Sequence, residues 1–263
     1  MLLSLTALPL WLSFLLVVIL PTAIAMSGPI IVRRLVRLDH LRTNNEVAGF
    51  KFATVGVIYA VLLAFVIIVV WEKFNAAEND VARQAGAAET ILRLTDGLNT
   101  ERRAALRTAM SAYLRTSITK EWPAMERGTG DADVTRALTD VYTVVLNSRA
   151  ADGSNAFLVT EILRQLDSIS TTHRSLLVSA DGNVPGILWF VLFSGAIITV
   201  VYTFFFGTPN LRAQSLMTGA LSVLVFSGLL TAIVIDHPFA GTVKVSPEAL
   251  VHVLEDFGRA SGR

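Results

Sequence analysis

Hydrophobic positions along the chain gather into four long runs, at about 10–32, 52–70, 186–206 and 216–235. None of these runs contains an Asp, Glu, Lys, Arg or His residue. An α-helix rises ~1.5 Å per residue, so about 20 apolar residues cross the ~30 Å hydrocarbon layer of a bilayer. The runs also lack the alternating pattern that a membrane-spanning strand would show. The sequence therefore predicts four transmembrane helices.

No glycine, proline or turn cluster interrupts the chain where the second run passes into a charged, alanine-rich segment at Trp71. Helix formers on both sides predict that this helix continues from the membrane into water. The predicted division is a first transmembrane hairpin at 1–71, a soluble helical bundle at 72–185, a second hairpin at 186–236 and a C-terminal tail at 237–263. The fold class is thus an all-α membrane protein, with four transmembrane helices and an antiparallel helical bundle inserted between the second and third.

Four helices are predicted within the bundle segment. The first continues the membrane helix, and Thr100 is the expected cap of the second. Glu121-Trp122-Pro123 should end the second helix, because proline disrupts a helix interior. Asp131 or Asp133 would cap the third helix, and a turn at 152–154 would separate it from the fourth. The core-facing positions, spaced three or four residues apart, are Phe74, Ala77, Val81, Ala85, Ala88, Leu92, Leu98, Leu106, Met110, Tyr113, Leu114, Ser117, Val134, Leu138, Val141, Tyr142, Val145, Leu158, Ile162, Leu166, Ile169 and Leu176.

The first apolar run has features of a secretory signal peptide. Ala23-Ile24-Ala25 matches the small residues of a cleavage site, but no Lys or Arg precedes the run. A signal peptide needs such a basic segment. The run also continues past Ala25 to Arg33-Arg34. We expect a retained transmembrane helix, with a cleaved signal peptide as the alternative.

Basic residues are concentrated between the first and second runs. Residues 33–51 include five basic and two acidic residues, a net charge of +3, whereas 72–185 include 13 basic and 15 acidic residues, a net charge of −2. Short loops rich in Lys and Arg stay in the cytoplasm. Arg212, between the third and fourth runs, fits the same orientation. The bundle and both termini are therefore expected outside the cytoplasm.

Small residues repeat every fourth position within the second run, at Gly56, Ala60 and Ala64, and Gly228 and Ala232 repeat similarly in the fourth. Such spacing lets transmembrane helices approach closely, so we expect helix contacts within or between subunits. The polar atoms of the runs are hydroxyls, most of them expected to bond neighbouring helices. Tyr59 is a candidate pore or gate residue. The hydroxyl residues considered are Thr54, Tyr59, Thr199, Tyr202, Thr203, Ser222 and Ser227.

Asp236-His237-Pro238 follows the fourth run. A carboxylate at the C-terminus of a helix opposes the helix dipole, and a histidine can titrate near neutral pH. Asp236 and His237 are therefore candidate gate residues that could contact a permeating ion. A simple interfacial cap is the alternative, and one Asp-His pair is too few ligands for a metal site.

Several classes of function are not expected. The chain of 263 residues is 53% hydrophobic and only 16% charged, and it contains no cysteine. It lacks the common hydrolase, nucleotide-binding and zinc-protease motifs. We expect no enzyme activity, no cofactor, no metal and no nucleic-acid partner. Glu121, Trp122 and Pro123 form a second motif, for which a structural role is the simpler interpretation and contact with lipid headgroups the alternative.

Three segments of the chain carry a family resemblance. The run GVIYAVLLAFVIIVVWEKFNAAE, the Glu-Trp-Pro motif and the DHPFAG sequence at 236–241 occur in the order found in bacterial "bestrophin-like domain" proteins of unknown function. The resemblance spans about 45–250 and implies a multi-pass protein of the bacterial inner membrane. Bestrophins are oligomeric anion channels with four transmembrane helices, and they keep their soluble part in the cytoplasm. That orientation is opposite to the one expected from charge, and the pore-neck and calcium-site residues of bestrophins have no match here.

Two functions follow as hypotheses. The first is a homo-oligomeric anion channel-like protein, with the second helix near the symmetry axis, a lipid bilayer around it and a small ion as its ligand. The second is a non-conducting membrane scaffold or sensor, whose soluble bundle binds a partner or ligand. The absence of charge within the membrane runs favours the second, because transport proteins often use such charges.

Overall fold

The apolar runs fold as helices in the computed structural model, which describes residues 8–150, 156–182 and 184–261. Four helices, α1, α3, α8 and α9, are long and apolar enough to cross a membrane. These confirm the predicted all-α fold with four spans. The predicted turn at 152–154 lies outside the described residues. The helices are α1 (Leu10–Leu35), α2 (Leu38–Thr43), α3 (Asn45–Leu94), α4 (Thr100–Thr116), α5 (Trp122–Met125), α6 (Ala132–Ala150), α7 (Ala156–Ala180), α8 (Gly186–Tyr202), α9 (Leu211–Asp236) and α10 (Glu248–Ser261).

Helix α3 is a single helix of 50 residues, as the uninterrupted sequence around Trp71 predicts. The chain forms two compact units, each made of two segments. The membrane unit comprises 1–72 and 183–236, and the helical unit comprises 73–182 and 237–263. Residues 237–263, which the sequence suggested were a separate tail, therefore group with the bundle helices.

Glycines allow the helices of the membrane unit to approach closely. A Cβ atom on Gly28 would lie 2.4 Å from the ring of Phe204, and one on Gly228 would lie 2.7 Å from Leu63. Side-chain atoms essentially never come this close, so a Cβ at either position would force the neighbouring side chain to move. Gly228 thus makes the kind of close helix contact predicted for it, between α9 and α3.

The helical unit is built on the apolar faces that the periodicity predicts. Helix α4 packs against α6, α6 packs against α7, and α10 packs against α4. Met110, Tyr113 and Leu114 are completely buried. Near the end of α3, Ile91 is the residue that enters the core, and the neighbouring Leu92, which was predicted to do so, is only half-buried. The helix turns about 100° per residue, so adjacent positions at the edge of an apolar face compete for the core.

Two local predictions in this unit are wrong. The cap of α4 is Asn99, whose side chain accepts a hydrogen bond from the backbone N–H of Arg102 at 3.0 Å, and not Thr100. The Glu-Trp-Pro motif also does not end the helical path, because a π-turn at Ser117–Glu121 leads directly into α5. Pro123 occupies the first turn of α5, where a missing N–H costs little. For the third predicted helix of the bundle, α6, the cap is Asp131 of the two candidates, because its carboxylate accepts the N–H of Asp133 at 2.8 Å.

Both interhelical turns of the membrane unit meet at one end of it. The side-chain amide of Asn45 donates to the carbonyl of Gly207 at 2.8 Å and accepts the N–H of Gly207 at 2.9 Å. Arg33 donates to the carbonyl of Thr208 at 2.5 Å. A Cβ on Gly207 would lie 2.7 Å from the backbone nitrogen of Arg42. This joins the 33–51 turn to the 207–212 turn.

Candidate functional site

Helix α3 leaves much of its membrane face uncovered. Only 17% of its apolar span is buried, against 56% for α9. A Cβ on Gly56 would meet no atom within 4 Å, and Ala60 and Ala64 are exposed. Gly56 therefore makes no close helix contact within the chain. The predicted contact role of the three residues remains a prediction, and it would apply between subunits.

An apolar groove runs beside this face of α3. Its volume is about 470 Å³, and it is lined by residues of α3, α8 and α9. Gly56 and Ala60 form part of its wall, and Tyr59 and Thr199 contribute its hydroxyl-bearing side chains. The groove contains no charged side chain among its lining residues. It is therefore an apolar space with two hydroxyl groups, within the segments that cross the membrane.

Tyr59, the candidate gate residue, lies against Gly195 of α8. A Cβ on Gly195 would lie 2.7 Å from the tyrosine ring, so glycine is required for the ring to take this position. Tyr59 is only 5% exposed, and its hydroxyl has no hydrogen-bond partner among the described residues. Sequence analysis could select Tyr59 as a polar residue of the second run, but it could not show that the ring is buried beside α8.

Asp236, the second candidate, is 2% exposed at the end of α9. Its carboxylate accepts the backbone N–H of Val184 at 3.0 Å, just before α8 begins at Gly186. The positive end of the α8 dipole stabilises a carboxylate there. The sequence argument considered only the unfavourable dipole of its own helix, because the partner is 52 residues away. The contact joins the end of α9 to the residue before Pro185, the cap position of α8, which itself receives no side-chain hydrogen bond. A capping role for Asp236 and a gating role for Asp236 and His237 both remain predictions.

The Glu-Trp-Pro and DHPFAG motifs meet in the helical unit. The indole N–H of Trp122 donates to the carbonyl of Val245 at 3.1 Å, and its ring makes an edge-on contact with Phe239 at 6.0 Å between centroids. Lys244 forms an ion pair with Glu126 one turn beyond the tryptophan. Trp122 is therefore an anchor for residues 239–245. This favours the structural interpretation of the motif. Sequence analysis could not predict the contact, because Trp122 and Val245 are 123 residues apart.

Glu121 is a buried carboxylate with a buried partner. Its side chain is 2% exposed, and one oxygen lies 2.8 Å from Nε2 of His173, whose side chain is 9% exposed. The other oxygen accepts the backbone N–H of Asp131 at 3.2 Å. Glu121 thereby links α7 and the start of α6 to the π-turn. Buried charges occur in proteins mainly when they are paired in this way.

A second buried polar contact joins α3 to α4, where the side-chain amide of Gln84 donates to the hydroxyl of Tyr113. Burial raises the pKa of the Tyr113 hydroxyl above its usual value. Tyr113 therefore stays neutral and serves as a hydrogen-bonding group. Among the described residues, no group of three or more His, Cys, Asp or Glu side chains could hold a metal ion. The polar contacts described in this unit support its packing.

Comparison with known proteins supports the same architecture. The family model of the bestrophin-like domain matches residues 19–250. A bacterial bestrophin homologue from Klebsiella pneumoniae, solved by Zn-SAD phasing, is similar with a TM-score of 0.74 at 15% identity, over 93% of this chain and 98% of that chain. A mutant bestrophin homologue from the same organism gives a TM-score of 0.75 at 13% identity, over 94% and 99%.

No curated protein matches this chain in sequence. The structural similarity at such low identity shows a shared fold, while the family match covers most of the residues. It also confirms the resemblance carried by the three sequence segments. The chain belongs to the bestrophin-like domain family.

Proposed function

We propose that this protein is a homo-oligomeric channel for small anions in a bacterial inner membrane, with α3 facing the symmetry axis. The observation that carries the proposal is the uncovered membrane face of α3, whose apolar span is only 17% buried within the chain. Small residues at Gly56, Ala60 and Ala64 suit close approach by another helix. Membership of a bestrophin-like family makes channel activity the leading function, and a catalytic role is not proposed.

The proposal predicts ion flux through purified, reconstituted protein. Liposomes that contain the protein should release chloride when an anion gradient is applied, and gluconate in place of chloride should abolish the flux. The protein should also behave as an oligomer in mild detergent. A monomer that conducts neither anions nor cations would contradict the proposal and favour the scaffold or sensor hypothesis. Liposomes prepared without protein provide the baseline.

The charge distribution supports an orientation for the membrane unit. Six basic residues lie at the end where the two turns meet: Arg33, Arg34, Arg37, Arg42, Lys51 and Arg212. The opposite end carries two acidic residues, Glu72 and Asp236, with Lys73 next to Glu72 on the same helix. We propose that the basic end faces the cytoplasm. The soluble segment 73–182 would then lie outside, opposite to the orientation that the resemblance to bestrophins implies.

Cysteine labelling in intact cells tests this orientation, because the natural chain contains no cysteine. Arg42 and Arg136 are exposed and lie on either side of the span formed by α3. A maleimide that cannot cross membranes should label Arg136→Cys and not Arg42→Cys. Both variants should be labelled after the membrane is permeabilised. Labelling of position 42 alone in intact cells would show that the orientation is inverted.

A further inference from the structure

Two contacts mark the ends of the apolar groove beside α3. At one end Leu63 lies against α9, where a Cβ on Gly228 would be 2.7 Å from the leucine side chain. At the other end the ring of Phe52 contacts those of Tyr202 and Phe206, with centroids 5.8 and 5.7 Å apart. The groove therefore follows α3 from Phe52 to Leu63, in the half of its apolar run nearer the 33–51 turn.

The length of the groove matches one leaflet of a bilayer. Eleven positions separate Phe52 from Leu63, which is about 17 Å along a helix. Half of the hydrocarbon layer is about 15 Å thick, the depth that the acyl chains of one leaflet fill. Val57 and Leu224 line the groove and are 63% and 72% exposed, so its side is open to the surrounding membrane. An acyl chain lying along α3 would fit this space in both length and polarity.

Basic residues surround the end of the groove at Phe52. Lys51 directly precedes this residue on α3, and Arg42 lies in the adjoining turn. The 207–212 turn is bonded to the 33–51 turn and adds Arg212, and all three basic side chains are exposed. Lys and Arg residues beside a transmembrane helix attract anionic lipid headgroups. The charge at this end therefore complements a phospholipid that carries a net negative charge.

We propose that the groove holds one acyl chain of an anionic phospholipid such as phosphatidylglycerol, with the headgroup among the basic residues of the 33–51 turn. The site goes beyond the proposed function, because a lipid can bind here whether or not the protein conducts ions. It also leaves another face of α3 free for a symmetry axis. Val61 and Phe65 are 49% and 64% exposed, and they lie about 140° and 180° around the helix from Gly56.

Native mass spectrometry of the full-length protein in detergent tests the proposal, with phosphatidylglycerol and phosphatidylcholine of equal chain length as probes. The wild type should retain phosphatidylglycerol at lower lipid concentrations than phosphatidylcholine. Gly56→Leu fills the groove from its wall, and the variant should fold because a Cβ at this position meets no atom within 4 Å. Its apparent Kd for phosphatidylglycerol should rise about tenfold or more. Replacing Arg42 and Lys51 together by glutamine should remove the preference between the two lipids.

A matched control is available on the same helix. A Cβ on Gly86 also meets no atom within 4 Å, but Gly86 does not line the groove, so Gly86→Leu should bind phosphatidylglycerol like the wild type. Equal lipid retention by Gly56→Leu and the wild type would overturn the proposal, as would equal wild-type affinity for the two lipids. If Gly56→Leu breaks the oligomer and leaves lipid retention unchanged, a second copy of the chain covers the groove and the lipid proposal is wrong. Phosphatidylglycerol binding that Gly56→Leu loses, in a protein without flux, would support the site and reject the channel.

Discussion

Replacement of Trp122 by alanine is expected to lower the free energy of unfolding by about 3–5 kcal/mol, the usual cost of deleting a buried tryptophan. The side chain is 6% exposed, contacts Phe239 and donates its indole N–H to Val245. Its loss would leave a cavity beside Phe239 and would leave the carbonyl of Val245 without this donor. Denaturant unfolding in detergent, followed by circular dichroism, measures the change.

Two variants separate the causes of this loss. Trp122→Phe keeps most of the apolar contact and loses only the hydrogen bond. It should therefore lower the free energy of unfolding less than Trp122→Ala does, and the difference between the two variants measures the contribution of packing. Trp11→Ala removes a tryptophan that is 67% exposed and should leave the unfolding free energy nearly unchanged. If Trp122→Ala unfolds within about 1 kcal/mol of the wild type, Trp122 does not anchor the 239–245 segment.

Glu121→Ala is the second substitution with a large expected effect, again about 3–5 kcal/mol of unfolding free energy. It leaves His173 buried without its carboxylate partner and removes the acceptor for the N–H of Asp131. An unpaired polar group that cannot reach water accounts for most of the cost. Thermal and denaturant unfolding of the purified variant give the measurement.

The nearby Glu126 provides the control for Glu121. Its ion pair with Lys244 is exposed, with 42% and 46% of the two side chains accessible, so Glu126→Ala should cost about 1 kcal/mol at most. Combining Glu121→Ala with His173→Ala should cost less than the sum of the two single variants, because each removes the same contact. Strict additivity would show that the two side chains do not interact in solution.

Sequence patterns predicted most of the fold, because burial in this protein follows helical periodicity. The positions of Ala77, Val81 and Ala88 along α3, and of Met110 along α4, could be assigned to the core from spacing alone. The same rule could have found α10, where Leu250, Val253 and Phe257 recur on one face and are buried. The 14 residues of α10 fall within the segment 237–263 that was predicted as a C-terminal tail.

The candidate sites were less predictable, because their geometry depends on contacts between distant residues. Trp122 meets Val245, Asp236 meets Val184, and Glu121 meets His173, none of them near in sequence. A helix dipole could be assigned to Asp236, but only the fold shows which helix end its carboxylate reaches. The unpaired state of the Thr199 hydroxyl is similarly invisible in sequence, where it resembles any other helical threonine.

The paired amide of Asn45 also has a consequence for synthesis of the protein at the ribosome. Its partner Gly207 is 162 positions further along the chain. At about 5–20 residues per second, the ribosome needs roughly 10–30 seconds to reach that glycine after Asn45 has been made. During this interval the amide of Asn45 is without the partner that it has in the folded protein. Assembly of the membrane unit can therefore finish only after the intervening soluble segment has been translated.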